Sequence, residues 1–243
     1  MLWQKTGSLR EIPMGYKLGL TAFLLIAGLG YLLGFANIYL TYSPVDQKPG
    51  LSIQDISISF YGARGATKLE KAIDGSMKQY LASEADGTKL KDWIKAGGKE
   101  TDFGPVSAIF SASCNTCHSS EAKVADVVTA DYARVSELLA QDTGKSISRL
   151  VSLSHTHVLA TLPVIFLLCL VFSFTAFPQG LKGAIIVLSF CAIILDIGSW
   201  WLAKLAEAFA PLVLLGGVYL ALSFLVLIVL SLYDIWLRKA SQP

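Results

Sequence analysis

Charged side chains are scarce in this 243-residue chain, at 16%, against roughly 25% in an ordinary soluble domain. The 20 basic and 18 acidic residues nearly cancel, leaving a formal net charge of only +2, and nothing in the pattern points to nucleic acid. Histidine and methionine are rarer still, with three of each, so candidate metal ligands can be found by elimination. Of the four cysteines, Cys169 and Cys191 fall in the middle of long apolar runs, where a small buried hydrophobe is the expected role. The first apolar run lacks a clean A-x-A cleavage site, and its core of about 20 residues exceeds the 7 to 15 of a secretory signal. It is expected to stay as an anchor.

What the chain has in abundance is apolar surface: 53% of its residues are hydrophobic and the mean hydropathy is +0.56. A membrane-spanning helix needs about 20 mostly apolar residues, and four stretches qualify. They run from about Leu18 to Leu40, Thr156 to Phe177, Leu181 to Leu202 and Pro211 to Leu232. Loops of a few residues join the last three, which predicts an antiparallel bundle. Lys5, Arg10, Lys17, Lys182, Arg238 and Lys239 cluster at one side of this arrangement and only Lys204 lies in the short loop on the other. Positive residues stay inside, so both termini are expected in the cytoplasm and the long insert outside it. The expected layout is a cytoplasmic N-terminus (1–17), a first span (18–41), a periplasmic domain (42–154), a three-helix membrane bundle (155–236) and a cytoplasmic tail (237–243).

The insert carries most of the charge and is long enough for one small core. Its alternating LSIQDISISFYG predicts a strand. Helical spacing follows: Leu69, Ile73, Met77 and Leu81 form one stripe. A second helix is expected from a cap at Asp86, through Leu90, Trp93 and Ile94, to a stop at Gly97-Gly98. VADVVTADYARVSELLA reads as a further helix. No breaker separates Ser146 from Pro163, so one long helix should run into the second span. The lysines between Lys68 and Lys99 could dock an acidic redox partner, although an ordinary solvated helix face accounts for them more simply.

Residues 114 to 118 read Cys-Asn-Thr-Cys-His, the C-x-x-C-H attachment signature of a c-type haem. Two intervening residues let the thiols of Cys114 and Cys117 both reach the vinyl groups along one porphyrin edge, and the adjacent His118 becomes the proximal iron ligand. A structural zinc site needs further ligands nearby, and a thioredoxin-like dithiol needs a βαβ setting; neither is visible. A structural disulfide is the remaining alternative. An oxidising periplasm, where haem is attached to such thiols in bacteria, suits the expected side of the membrane.

Three residues are candidates for the distal iron position, and an open or weakly ligated iron is the remaining option. Met77 is the one methionine on the haem side, and none follows the motif, unlike the familiar soluble cytochromes c. His155 and His157 lie downstream in SLSHTHVLATL. At i and i+2 they point roughly 160° apart on a helix, so one haem cannot easily use both, and the other must face a neighbour or a quinone head group. With no further histidine, a bis-histidine haem b within this chain is excluded. Asp196 stands alone as an ionisable residue well inside an expected span. An acid there is costly and points to function, such as taking a proton from a quinol, or else to a local bond with Ser199 or Trp200.

The pentapeptide resembles the c-type cytochromes, and the layout is similar to membrane-integral monohaem cytochromes c of bacterial electron-transport chains. That resemblance implies a mainly α fold, with four transmembrane helices and a small helical cytochrome c-like domain inserted between helices 1 and 2. It implies one covalent haem c and single-electron relay in the bacterial inner membrane. The expected partners are other subunits of a respiratory or photosynthetic complex, a soluble periplasmic redox protein, or quinone. A quinol dehydrogenase using Asp196 and one of the paired histidines is the alternative. A haem-based redox or gas sensor would need an output domain, for which only short cytoplasmic tails remain.

Overall fold

The computed structural model describes residues 8–43, 45–122 and 127–238. It divides into two compact units, Met1–Thr41 with Ser146–Pro243, and Tyr42–Lys145. Lys5, Lys239 and residues 124–126 of an expected helix lie outside the described residues.

Helix α1 (Met14–Tyr42) opens the first unit. It follows Pro13, whose fixed φ suits a helix start, and a short 3₁₀ turn, Leu9–Glu11, precedes it. Most of its apolar side chains are exposed, while Leu24 is fully buried.

Among the described residues the second unit holds six short helices. These are α2 (Ile53–Phe60), α3 (Lys68–Asp74), α4 (Glu84–Lys95), α5 (Gly104–Ile109), α6 (Asn115–His118) and α7 (Tyr132–Ser136). The expected strand over LSIQDISISFYG is a helix instead. Ser52 and Asp55 form a capping box, with the Ser52 hydroxyl accepting from the Asp55 amide at 3.0 Å and the Asp55 carboxylate accepting from the Ser52 amide at 2.8 Å. Satisfying two orphan amides at once nucleates the helix, and Ile56 and Phe60, four apart, then bury together. Asp55 also accepts the Asp46 amide at 2.7 Å; sequence reasoning had not marked this fully buried acid.

Two further expectations shift. The stripe from Leu69 to Leu81 breaks at Gly75, where the backbone leaves the helix, so Leu69 and Ile73 are core residues while Met77 precedes a separate 3₁₀ turn. Helix α4 is capped by Ser83 rather than Asp86, whose amide donates to the Ser83 hydroxyl at 3.2 Å. Its Leu90, Trp93 and Ile94 join Leu69, Ile73, Val106, Phe110 and Val135 in one core. Among the described residues the one β feature is an isolated bridge between Thr67 and Gln141.

Three long helices complete the first unit: α8 (Ile147–Ser173), α9 (Gln179–Leu205) and α10 (Ala210–Trp236). At 1.5 Å per residue each spans about 40 Å, beyond the roughly 30 Å of a bilayer's hydrocarbon core. With α1 they make, among the described residues, four helices long and apolar enough to cross a membrane. Ser146 caps α8, which runs through Pro163 without ending. It stops at Ser173, before the expected Phe177, because the chain turns back under Lys182. That ammonium donates to the Ser173 and Thr175 carbonyls, both at 2.9 Å, meeting acceptors that a helix end leaves orphaned.

The core of this unit joins Leu168 and Phe172 of α8, Ala192 and Ile193 of α9, and Leu220, Phe224 and Leu227 of α10. Helices α9 and α10 come close together at Gly216. A Cβ there would sit 2.9 Å from the Asp196 Cα, so only glycine permits the contact, as small residues commonly do between membrane helices.

Candidate functional site

The second unit presents the C-x-x-C-H residues on α6 and the turn before it. Phe110–Cys114 is one wide π-helical turn, a distortion that often marks functional sites. Phe110 anchors this turn at 1% exposure, in an aromatic cluster with Phe103, Trp93 and Tyr132. The Phe103 ring centroid lies 5.7 Å from those of Trp93 and Phe110 and 5.5 Å from that of Tyr132. Such offset and edge contacts each add about 0.5–1.5 kcal/mol beyond area burial, so the turn stands on a firm base. Cys114 packs partly against this core and Cys117 is exposed; both are free thiols. Burial pushes the Cys114 thiol above its usual pKa.

His118 is held by the chain that follows it. Its Nδ1 lies 2.9 Å from the Val127 carbonyl oxygen. A carbonyl can only accept, so Nδ1 carries the proton and Nε2 keeps its lone pair free. Two further bonds fold the same loop back on the motif. The Thr129 amide donates to the His118 carbonyl at 2.9 Å, and the Thr129 hydroxyl to the Asn115 side-chain oxygen at 2.8 Å. These bonds explain why the helix expected over VADVVTADYARVSELLA begins only at Tyr132: residues 127–129 make tertiary bonds instead. Val127 was not legible beforehand, because a backbone acceptor leaves no residue-type signal, and nothing in the spacing links the side chains of Thr129 and Asn115.

Among the described residues no three Cys, His, Asp or Glu side chains form a group suited to a metal ion. The residues present fit covalent haem attachment: two unpaired thiols, one partly buried and one open, beside an imidazole whose Nε2 is free.

The distal candidates fall in different units. Met77 belongs with the motif, in Tyr42–Lys145. The chain just beyond it is tied to the residue before Cys114, since the Ala82 amide donates to the Ser113 hydroxyl at 3.3 Å. His155 and His157 belong to the other unit, on α8, and His155 is exposed.

His157 and Asp196 come together within the membrane unit. The imidazole Nε2 lies 3.4 Å from the Asp196 carboxylate, and the ring meets Trp200 edge-on at 5.0 Å. Asp196 is 5% exposed. The Ser199 hydroxyl donates to its backbone carbonyl at 2.6 Å rather than to its carboxylate. Tyr31 of α1 donates to the Gly217 carbonyl at 3.1 Å, beside the same acid. Of the two histidines in the H-x-H pair, the structure thus gives His157 to Asp196, on the helix face opposite His155.

A second buried acid escaped the sequence reading. Asp234, near the end of α10, is fully buried and collects four donors: the Ser8 hydroxyl, the Leu9 and Ala176 amides, and the Arg238 guanidinium. The signal was present in LYDIW, an acid within an apolar run, but the expected span closed at Leu232.

Residues 137–242 match a family model described as a transmembrane helical domain. The match covers α8 to α10 and leaves out α1 and the C-x-x-C-H motif. No curated protein and no solved structure matches the chain.

Proposed function

We propose that this protein is a membrane-integral monohaem cytochrome c that relays single electrons as a subunit of an inner-membrane respiratory or photosynthetic complex. One observation carries the reading: C-x-x-C-H ends in a histidine whose Nδ1–H is fixed on the Val127 carbonyl at 2.9 Å. Metal-binding histidines generally donate their second ring nitrogen to a carbonyl or carboxylate, which sets the tautomer and aims the other nitrogen at the metal. Bound haem would supply a one-electron Fe(III)/Fe(II) couple. Cys114 and Cys117 would hold it as thioethers, and His118 would be its proximal ligand. Met77, His155 and His157 remain the candidates for the distal position, and the His157–Asp196 contact is the argument against His157.

The inserted unit is then a small cytochrome c-like domain on the periplasmic side, with both termini cytoplasmic. Four spans exceed what a tether needs, which supports lateral packing against other subunits, while the donor or acceptor on the aqueous side would be a soluble periplasmic redox protein. The test is a pyridine haemochrome spectrum on the denatured, acid-acetone-extracted full-length protein. A c-type α-band that survives extraction is the expected result, and it should disappear from Cys114→Ala/Cys117→Ala. Wild-type protein without covalent haem, after expression with a competent maturation system, would sink the proposal.

The His157–Asp196 pair favours a second reading, a quinol dehydrogenase. There a quinol oxidised beside the pair would hand its two protons to the imidazole and carboxylate and its two electrons to the haem one at a time, the haem passing the first to a redox partner before it takes the second. Asp196→Asn should then slow quinol-dependent haem reduction by roughly 10²-fold, the usual scale for losing a general base, while reduction by a soluble donor continues. An unchanged quinol rate would leave the relay as the whole function.

A further inference from the structure

Neither electron transfer nor quinol chemistry accounts for the end of the membrane unit that carries Arg10 and Arg238. An open groove runs there between α1 and α10, lined by Thr21, Leu25, Val229, Leu232, Tyr233 and Trp236. Its surface is aliphatic and aromatic except for two hydroxyls, and the Thr21 hydroxyl is already engaged, accepting the Trp236 indole N–H at 3.0 Å. Leu25, Tyr233 and Trp236 are each more than a third exposed, so the groove opens toward the surroundings of the bundle.

Cations crowd its mouth. Lys17 lies one helical turn before Thr21, with its ammonium 5.8 Å from the centroid of the Trp236 ring. Among the described residues no carboxylate pairs with Lys17. Arg10 donates to the Trp236 carbonyl at 2.8 Å, which fixes a second cation, a guanidinium, at the same end. The third cation, Arg238, is taken by Asp234 at 3.2 Å. Glu11, exposed just before α1, forms no ion pair with either Arg10 or Lys17.

Helix α1 has no acidic residue in its first turn, although Lys17 sits there. The N-terminal end of a helix is itself partly positive, so a lysine in that turn adds like charge to like. Sequences usually avoid this arrangement or answer it with Asp or Glu. Among the described residues no carboxylate answers it, and the charge stands at the edge of an apolar groove between two membrane helices. A soluble anion would satisfy the charge and leave the groove bare. An uncharged lipid tail would fill the groove and leave the charge.

We propose that this groove binds an anionic phospholipid. Its phosphate sits at Lys17 with Arg10 beside it, and one acyl chain lies along Leu25, Val229 and Leu232. Basic pockets between membrane helices recognise anionic head groups in this way, and each Lys or Arg near the surface strengthens the attraction about fivefold. The site uses neither the C-x-x-C-H motif nor the His157–Asp196 pair, so its test is independent of the haem reading.

The experiment uses the full-length protein in detergent. Native mass spectrometry and thermal unfolding are followed during titration with phosphatidylglycerol, with phosphatidylcholine of the same acyl chains, and with inorganic phosphate. Phosphatidylglycerol should be retained and should raise the unfolding temperature, and the other two should do neither. Lys17→Gln and Arg10→Gln should each weaken phosphatidylglycerol retention by about fivefold, and Leu25→Trp should block it by filling the groove. Lys95→Gln, at an exposed lysine of the other unit, should leave it unchanged. Equal retention of phosphatidylcholine would overturn the proposal, as would an effect reproduced by phosphate alone or full retention by Lys17→Gln.

Discussion

Imidazole added to the His118→Gly protein is expected to restore a low-spin haem spectrum that the variant alone lacks. The argument starts from the tautomer. With Nδ1–H committed to the Val127 carbonyl, Nε2 is the nitrogen left to bind iron, and glycine removes it while opening space for a free imidazole. On the haem reading, thioethers at Cys114 and Cys117 would not depend on that side chain, so the haem should remain covalently attached in whatever fraction of the protein matures. Its spectrum should change from low-spin to high-spin in essentially all molecules, and titrated imidazole should reverse the change. A merely structural histidine would give another pattern: loss of the bond to Val127 would loosen residues 127–129, and added imidazole would not repair the spectrum. A low-spin His118→Gly protein without imidazole would remove His118 from the iron altogether.

The same series sorts the distal candidates. Thioether ligation raises the reduction potential relative to bis-histidine ligation. Met77→Ala therefore lowers the potential sharply if Met77 is the ligand and leaves it unmoved if a histidine is.

What could be read from the sequence, and what could not, divides along the reach of the interactions involved. The four membrane helices were visible because a span is a property of composition over about 20 residues, and no tertiary contact is needed to make one. Their ends were less visible. Helix α8 stops at Ser173 because Lys182, nine residues on, reaches back to its last carbonyls, and a lysine at that place reads equally well as a loop charge. The strand expected over LSIQDISISFYG failed for a related reason. Its alternation also fits a helix with Ile56 and Phe60 inward, and the deciding bonds between Ser52 and Asp55 outweigh the β preference of three isoleucines.

The candidate site was legible to the extent that its chemistry lies in side-chain identity. Cys114, Cys117 and His118 show themselves as candidates by type and spacing. The loop that orients His118 does not, since it works through the backbone of Val127 and a single threonine. The H-x-H pair was visible as a pair; only the packing of α8 against α9 assigns His157 to Asp196.

Asp234→Ala should be the most destabilising single change in the membrane unit. Its carboxylate is fully buried and takes the Ser8 hydroxyl at 3.1 Å and the Leu9 amide at 2.8 Å on one oxygen, and the Ala176 amide at 3.1 Å and Arg238 at 3.2 Å on the other. Alanine leaves two backbone amides, a hydroxyl and a guanidinium without their acceptor in one place. Breaking a buried charged pair costs about 3–5 kcal/mol, and each stranded amide carries its own desolvation penalty. Four donors around one acid put the loss at the upper part of that range, on the order of 10 °C or more in unfolding temperature. Asp234→Asn keeps one carbonyl oxygen and should fall between the two, retaining part of the amide contacts while releasing Arg238. Thermal unfolding of the three proteins in the same detergent decides the matter. Because the donors come from the segment before α1 and from the α8–α9 turn, the loss should also show as faster hydrogen exchange at Leu9 and Ala176 with Asp196 and His157 undisturbed. An alanine variant as stable as wild type would mean that water at the membrane boundary replaces all four bonds, and that the acid is held in place by this end of the bundle without holding it together.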